Sequence, residues 1–215
     1  MTAFPKRFVL IDRDGTINVE RNYVNKAADF ELLPDAADAI RTLNDAGIKV
    51  IVASNQSGVA RGYLTLKTLG RITSKMHLHL GRRGAHVDAV YYCPFHPDDK
   101  PYCRKPSVGM GMEAKQQFGV DLKKSYMVGD NKVDMEFGRN IGATNVLVLT
   151  GHAKGTELWM KQLPIHCIAE NLTGAVMWIL RDLKMRRKAQ KTKKTKQTKK
   201  TERPGTKPKP VKRTK

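Results

Sequence analysis

The chain has 215 residues, 40% of them apolar, with 40 Lys+Arg against 20 Asp+Glu and three cysteines. This composition allows one sizeable core and rules out a small disulfide-framework protein, and scarce cysteine favours a reducing, cytoplasmic setting. No apolar run approaches the roughly 20 residues of a membrane span, and Met1–Lys6 lacks the apolar centre of a signal peptide. The positive excess is localised: residues 184–215 hold 16 basic side chains and one acid, whereas residues 1–183 carry a net charge of only +5.

In chain order, Phe8–Ile11 is a strand. Pro34-Asp35 opens a helix with Ala36, Ile40 and Leu43 on one face, and Gly47 sits where a left-handed C-cap belongs. Ile48–Ala53 is a second buried strand, residues 64–81 a helix, and Ala85–Tyr92 a third strand. Gly109–Phe118 is helical, Ser125–Val128 a fourth strand, Met135–Asn140 a helix, Thr144–Leu149 a fifth strand and His166–Ala169 a short sixth. Leu172, Val176, Ile179, Leu180 and Leu183 keep the spacing of a closing helix. Continuous apolar strands separated by helices predict an α/β fold, a parallel sheet covered on both faces, with ligands beyond the carboxyl ends of the strands. Asp12/Asp14, Ser54-Asn55-Gln56 and Asp130 each follow a predicted strand, so they should meet in one crevice.

Two carboxylates, Asp12 and Asp14, at the end of a buried strand repel each other. A magnesium ion relieves that repulsion, since it takes oxygen ligands from one or two carboxylates and from phosphate. A carboxylate is also a nucleophile towards phosphorus, and a second carboxyl two residues on can protonate a leaving oxygen and then activate water. The turn at Gly15-Thr16 offers backbone N–H groups to an anion. An isolated D-x-D, by contrast, is as well explained by a solvated turn.

The sequence DRDGT after an apolar strand resembles the first motif of the haloacid dehalogenase-like (HAD) phosphatases, and the remaining motifs follow in order. Ser54 in IVASNQSG resembles the hydroxyl residue that binds the transferred phosphate, Lys105 in CRKPSVGM the lysine that neutralises nucleophile and phosphate, and Asp130 in MVGDNKVDM the later magnesium ligand, with Asp134 behind it. The resemblance implies a three-layer Rossmann-like domain with a central parallel sheet and no large cap, because the spacing between motifs leaves room only for loops such as 18–26 and 93–104. It also implies Asp12 as nucleophile, Asp14 as acid/base, Ser54 and Lys105 as phosphate holders, and a Mg2+ bound by Asp12, Asp130 and the backbone carbonyl of Asp14.

Within that superfamily DRDGTIN, SNQSGVARG, YYCPFHP and CRKPSVGM resemble the heptose 1,7-bisphosphate phosphatase family, over roughly residues 7–152. The resemblance implies a small phosphorylated sugar as substrate, with Glu20, Arg21, Asn22 and Tyr23 in a substrate loop, Asn55, Gln56 and Ser57 beside the phosphate, and Arg104 on the sugar or its second phosphate. The family reads Gly-Asp-Lys at the magnesium acid. Here Asn131 fills the lysine position, where it can still hydrogen-bond substrate, and Lys132 comes one residue late. The family's zinc loop is degenerate as well. Only Cys93, His96 and Cys103 remain as candidate ligands where structural zinc takes four, so a zinc-free loop with two free thiols is expected.

The tail from Lys184 to Lys215 is low in complexity and self-repelling. It is expected to be a disordered segment outside a 1–183 phosphatase domain, able to bind nucleic acid or another polyanion without reading sequence. Three alternatives stay open: a polynucleotide 3′-phosphatase, since SNQ and RKPSVGM resemble that group too and the tail offers a nucleic-acid anchor; a histidinol-phosphate phosphatase, which shares DRDGT and RKP; and a non-catalytic scaffold that delivers the tail. No apolar helix is left over for self-association, so a monomer is expected.

Overall fold

The computed structural model describes residues 7–201 and the side chains of residues 7–189. Strands Phe8–Ile11 (β1), Lys49–Asn55 (β2), Ala89–Cys93 (β3), Tyr126–Gly129 (β4), Thr144–Val148 (β5) and Cys167–Ala169 (β6) form one parallel sheet in the order β3-β2-β1-β4-β5-β6. The helices are Ala36–Asp45 (α1), Leu66–Gly81 (α2), Gly109–Phe118 (α3), Lys132–Ile141 (α4) and Leu172–Thr201 (α5). This is the expected α/β layering. Among the described residues no second domain is inserted between strands and helices, so the crevice is bordered by loops.

Every residue of β1 is fully buried, which explains a strand written FVLI without polar alternation. Phe8 and Leu10 join Ile51, Tyr91, Met110, Ala114, Met127, Phe137 and Ile141 in the core that α3 and α4 close over one face. Val9 and Ile11, like Val50 and Val52, alternate to the other face and are equally buried. Gly47 has a φ of 70° after α1, as expected of the residue that ends a helix in the left-handed region. The order of strands changes direction at β1, which has β2 on one side and β4 on the other. Open α/β sheets bind ligands at that switch point.

Two expectations need correction. Cys93, at the end of β3, and Cys103 are joined in a disulfide with Cα atoms 5.4 Å apart, not left as two free thiols; that separation lies within the reach of a disulfide. His96 instead caps a short 3-10 turn, its Nδ1 accepting from the Asp98 N–H at 3.4 Å. The chain also divides into two compact units, one up to Trp178 and one from Ile179. In the second, residues 184–201 are helical, in place of the disordered tail expected from Lys184. Lys, Arg, Gln and Ala are good helix formers, and the Asp182–Arg186 pair at 2.6 Å supports the helix at spacing i,i+4. Residues 202–215 of the expected tail lie outside the described residues.

Candidate active site

β1 ends at Ile11, and the Asp12 N–H donates to Val128 O at 2.9 Å, so the first carboxylate leaves a backbone still fastened to β4. The turn that follows is tight. Ile17 N and Asn18 N both donate to Arg13 O, and Gly15 N donates to Asn18 O at 2.8 Å. Thr16 N also points to Arg13 O, at 3.4 Å. The Gly15 and Thr16 N–H groups, expected to face an anion, are therefore engaged inside the turn.

Asp12 and Asp14 have opposite surroundings. Lys105 Nζ lies 2.8 Å from Asp12 Oδ1 and 2.6 Å from Asp134 Oδ1, and the lysine is almost wholly buried. Asp12, Asp130 and Asp134 each place one carboxylate oxygen within 4.8 Å of the others. Asp12 and Asp134 share the buried ammonium and Asp130 pairs with His152 at 3.1 Å, so when all three acids are ionised negative charge outweighs positive. Burial, and then the charge of Asp12, push Asp130 above the ordinary aspartate value. Burial pushes Asp134 up to about 7, against the pull of Lys105. Burial alone would lower the lysine, but Asp12 and Asp134 hold it protonated and raise its value. Hard oxygen donors with this charge deficit fit a magnesium ion.

Asp14, in contrast, is neutralised within the protein. Arg13, with no exposed surface, donates Nε and Nη2 to Asp14 Oδ1 at 3.1 and 2.9 Å and Nη2 to Oδ2 at 2.8 Å. Asn18 Nδ2 adds a bond to Oδ1 at 2.9 Å and Gln56 Nε2 one to Oδ2 at 2.8 Å. Burial would raise the Asp14 carboxyl, but Arg13 and these donors hold it below the ordinary value. Its carboxylate is not part of the three-aspartate group, whose third member is Asp134.

Of these residues, Asp12, Asp14, Lys105 and Asp130 line a cavity of about 320 Å3 at the switch point. Ser54, Asn55 and Ser57 enter it from β2 and its following loop, and Glu20, Asn22, Tyr23 and Arg104 form its outer wall. Asn131 lines it while capping α4, its N–H donating to Asp134 Oδ2 at 3.1 Å. Asn55 also fixes the backbone of the lysine, since its side chain accepts from Lys105 N at 2.9 Å and donates to Lys105 O at 3.0 Å. A larger depression of about 540 Å3 beside α3, lined by Met112, Val120 and Ile141 among others, lacks such a convergence of acids.

Two expected residues stay out of the crevice. Arg21 pairs at the surface with Glu31 at 2.8 Å, and Gln56 is buried behind Asp14 and Ser54. Lys132 pairs with Glu136 at 3.7 Å. The loop after β5, on the other hand, contributes groups absent from the sequence-based expectations. His152 N donates to Asp130 Oδ2 at 2.6 Å and its ring Nδ1 lies 3.1 Å from the same oxygen, with Glu20 Oε2 at 3.8 Å. Burial would lower the imidazole, but Asp130, Glu20 and Asp12 raise it. A Cβ on Gly151 would overlap Asp130 Oδ2 and lie 2.9 Å from Gly15 Cα, so the two turns approach too closely for side chains there. The rule that ligand groups follow strand ends applies to β5 as much as to β1, and could have found His152.

Sheet order, switch-point crevice and buried Asp/Lys cluster define a HAD-like hydrolase, and a family model described as HAD-hydrolase-like matches residues 102–175. An Escherichia coli K12 protein named D-glycero-beta-D-manno-heptose-1,7-bisphosphate 7-phosphatase is 38% identical over 191 residues, covering 85% of this chain and 94% of its own length. A Yersinia pestis protein of the same name is 40% identical over 152 residues, 66% of this chain and 80% of that protein. The crystal structure of D,D-heptose 1,7-bisphosphate phosphatase from B. bronchiseptica, complexed with magnesium and phosphate, superposes with a TM-score of 0.76 at 35% identity, covering 82% of this chain and 99% of the other. The chain belongs to this heptose-bisphosphate phosphatase family of HAD-type phosphoric monoester hydrolases. Among the described residues no helix is long and apolar enough to cross a membrane.

Proposed function

We propose that the chain removes the 7-phosphate of D-glycero-D-manno-heptose 1,7-bisphosphate, leaving heptose 1-phosphate, through a phospho-Asp12 intermediate. The observation that carries this reading is the cluster of Asp12, Asp130 and Asp134 around one buried lysine. When ionised, its carboxylates outweigh their cationic partners, and it opens on a cavity sized for a sugar phosphate. When bound among these carboxylates, magnesium supplies neutralisation and polarisation of the phosphoryl oxygens. Asp12 attacks phosphorus in line while Lys105 and Ser54 hold the equatorial oxygens, and the ester bond to the leaving oxygen breaks. Asp14 gives that oxygen a proton. It then takes one from the water that attacks phospho-Asp12, which frees phosphate and restores both aspartates. Asp14 is ionised in the resting site; it takes up a proton from solvent as the phosphate dianion arrives, because like-charge proximity favours the protonated form, and releases one to solvent when phosphate departs.

Arg104 supports a substrate with a second phosphate. Its Nη1 is buried without a partner among the described residues, and burial and the charge of Arg61 push the guanidinium below its ordinary value. An anion at the cavity mouth would satisfy Arg104. All proposed groups come from one chain, so the reading requires only a monomer, and it places the enzyme in the cytoplasm.

A second reading concerns the basic helix. Residues 184–201 carry ten Lys/Arg and no acid, so the segment is proposed to hold nucleic acid or another polyanion non-specifically and with strong salt dependence. One experiment tests both readings. Phosphate release is measured on heptose 1,7-bisphosphate, histidinol phosphate and a 3′-phosphorylated oligonucleotide, with magnesium and with chelator, for full-length protein, residues 1–183 and Asp12→Asn. The expected result is preference for the bisphosphate, loss with chelator and with Asp12→Asn, and no loss on truncation, which abolishes only oligonucleotide retention. Preference for the oligonucleotide that falls on truncation would make the tail part of substrate binding. Biological activity unaffected by Asp12→Asn would favour a non-catalytic scaffold.

A further inference from the structure

We infer that Arg13, the residue between the two aspartates, is a positioning residue for proton transfer: with Gln56 it fixes the Asp14 carboxylate so that its open edge faces the leaving oxygen. The inference rests on the proposed reaction, in which Asp14 is the acid/base. Arg13 itself touches no substrate, since it has no exposed surface and does not line the cavity.

Burying an arginine is costly, and a buried ion pair is weak grounds for stability by itself. Its surroundings show what it does. The guanidinium grips Asp14 through Nε and Nη2, and Nη2 reaches Gln56 Oε1 at 3.2 Å. Gln56 Nε2 in turn bonds both Asp14 Oδ2 at 2.8 Å and Ser54 Oγ at 3.0 Å. From behind, the guanidinium carbon lies 5.7 Å from the Tyr92 ring centroid, and Tyr92 Oη is fixed at 3.0 Å by Thr73 Oγ1 of α2. Asn18 closes the remaining side. The donors therefore surround Asp14 on its protein side and leave 21% of its side chain open, on the edge that lines the cavity. Gln56 also ties that edge to the hydroxyl proposed to hold the phosphate, so acid and phosphate share one frame. A solvated turn needs none of this, and a purely structural arginine has no need of the link through Gln56 to Ser54.

The test separates positioning from stability by the leaving group. The alkyl oxygen of heptose 1,7-bisphosphate needs a proton as it departs, whereas the phenolate of p-nitrophenyl phosphate departs almost without one. kcat/KM reports the step in which the leaving group departs, and it is measured on both substrates for wild type, Arg13→Met, Gln56→Leu, Asp14→Asn and the Arg13→Met/Asp14→Asn double variant. Asp14→Asn and Arg13→Met are each expected to lower kcat/KM on the alkyl ester by about 100-fold and on the aryl ester by less than about 5-fold, with Gln56→Leu shifting the same ratio less. In the Asp14→Asn background, Arg13→Met adds nothing on the alkyl ester, because the two act as one unit. Equal losses on both esters, or additive losses in the double variant, would overturn the inference and make Arg13 structural. Should Arg13→Met fail to fold, the Gln56→Leu ratio decides. An unselective Asp14→Asn would remove the acid/base role and the inference with it, whereas persistence of phosphate release in Asp12→Asn would bring down the reaction itself.

Discussion

In the sequence Asp134 is only an acid behind Asp130, yet it is fully buried, holds Lys105 at 2.6 Å and completes the three-carboxylate group. Asp134→Asn keeps the shape, removes one negative charge and leaves the ammonium to Asp12. The magnesium concentration for half-maximal activity is expected to rise about 10-fold or more, as read in a metal titration of phosphate release. An unchanged titration would confine Asp134 to packing. Asp12, Asp14 and Asp130 are legible because each stands at the end of an apolar strand, where position implies the crevice. Lys105 is legible only through the resemblance of CRKPSVGM to the family's lysine motif. Arg21 and Gln56 are misplaced for the opposite reason. A loop residue's number does not say which way its side chain turns, and Arg21 turns to Glu31 while Gln56 turns inward. Arg13 offers no signal beyond its place between two acids.

Among elements, the strand-end loops set the site more than the helices do. The loop after β5 meets the turn after β1 at Gly151 and Gly15, with Thr150 Oγ1 donating to Gly15 O at 2.5 Å and Ala153 N donating to Asp130 O at 2.9 Å. Gly151→Ala would push a methyl group into Asp130 Oδ2. If Asp130 holds the metal as proposed, displacing its carboxylate by even about 1 Å costs on the order of 100-fold in rate, so kcat/KM is expected to fall by about that factor while the melting temperature changes little. A large fall in melting temperature with proportionate activity in the surviving folded protein would contradict this. All six strands are legible from their apolar runs, but their limits are not. Ala85 and Val87 are buried without pairing, and β3 begins only at Ala89. Burial writes the same residues into a strand and into the segment leading to it. The helix beyond Leu183 escapes a reading in which charge repulsion outweighs helix propensity.

For the whole molecule, the acid cluster couples stability to pH and metal. Asp130 and Asp134 have folded values raised above their unfolded ones, the second to about 7. The stability they contribute is therefore complete below the ordinary aspartate range and is lost as pH rises towards 7. Magnesium binds the ionised forms and reverses that loss, so its stabilisation is expected to grow between about pH 5 and pH 8. At a hundred times its dissociation constant it reaches about 2.7 kcal/mol. Melting curves with magnesium and with chelator across that range check the sign; a metal shift that is constant or falls with pH would show that these carboxylates are not the ones neutralised.

The clamp on Asp14 also bears on how long the protein lasts. An Asp-Gly sequence ages when the glycine nitrogen attacks the aspartyl side chain, closes a succinimide and reopens as isoaspartate. Here Gly15 N is held by Asn18 O, and the Asp14 carboxylate is kept ionised, the form least open to attack. The contacts that clamp Asp14 therefore also shield it from the isomerisation that its own dipeptide invites.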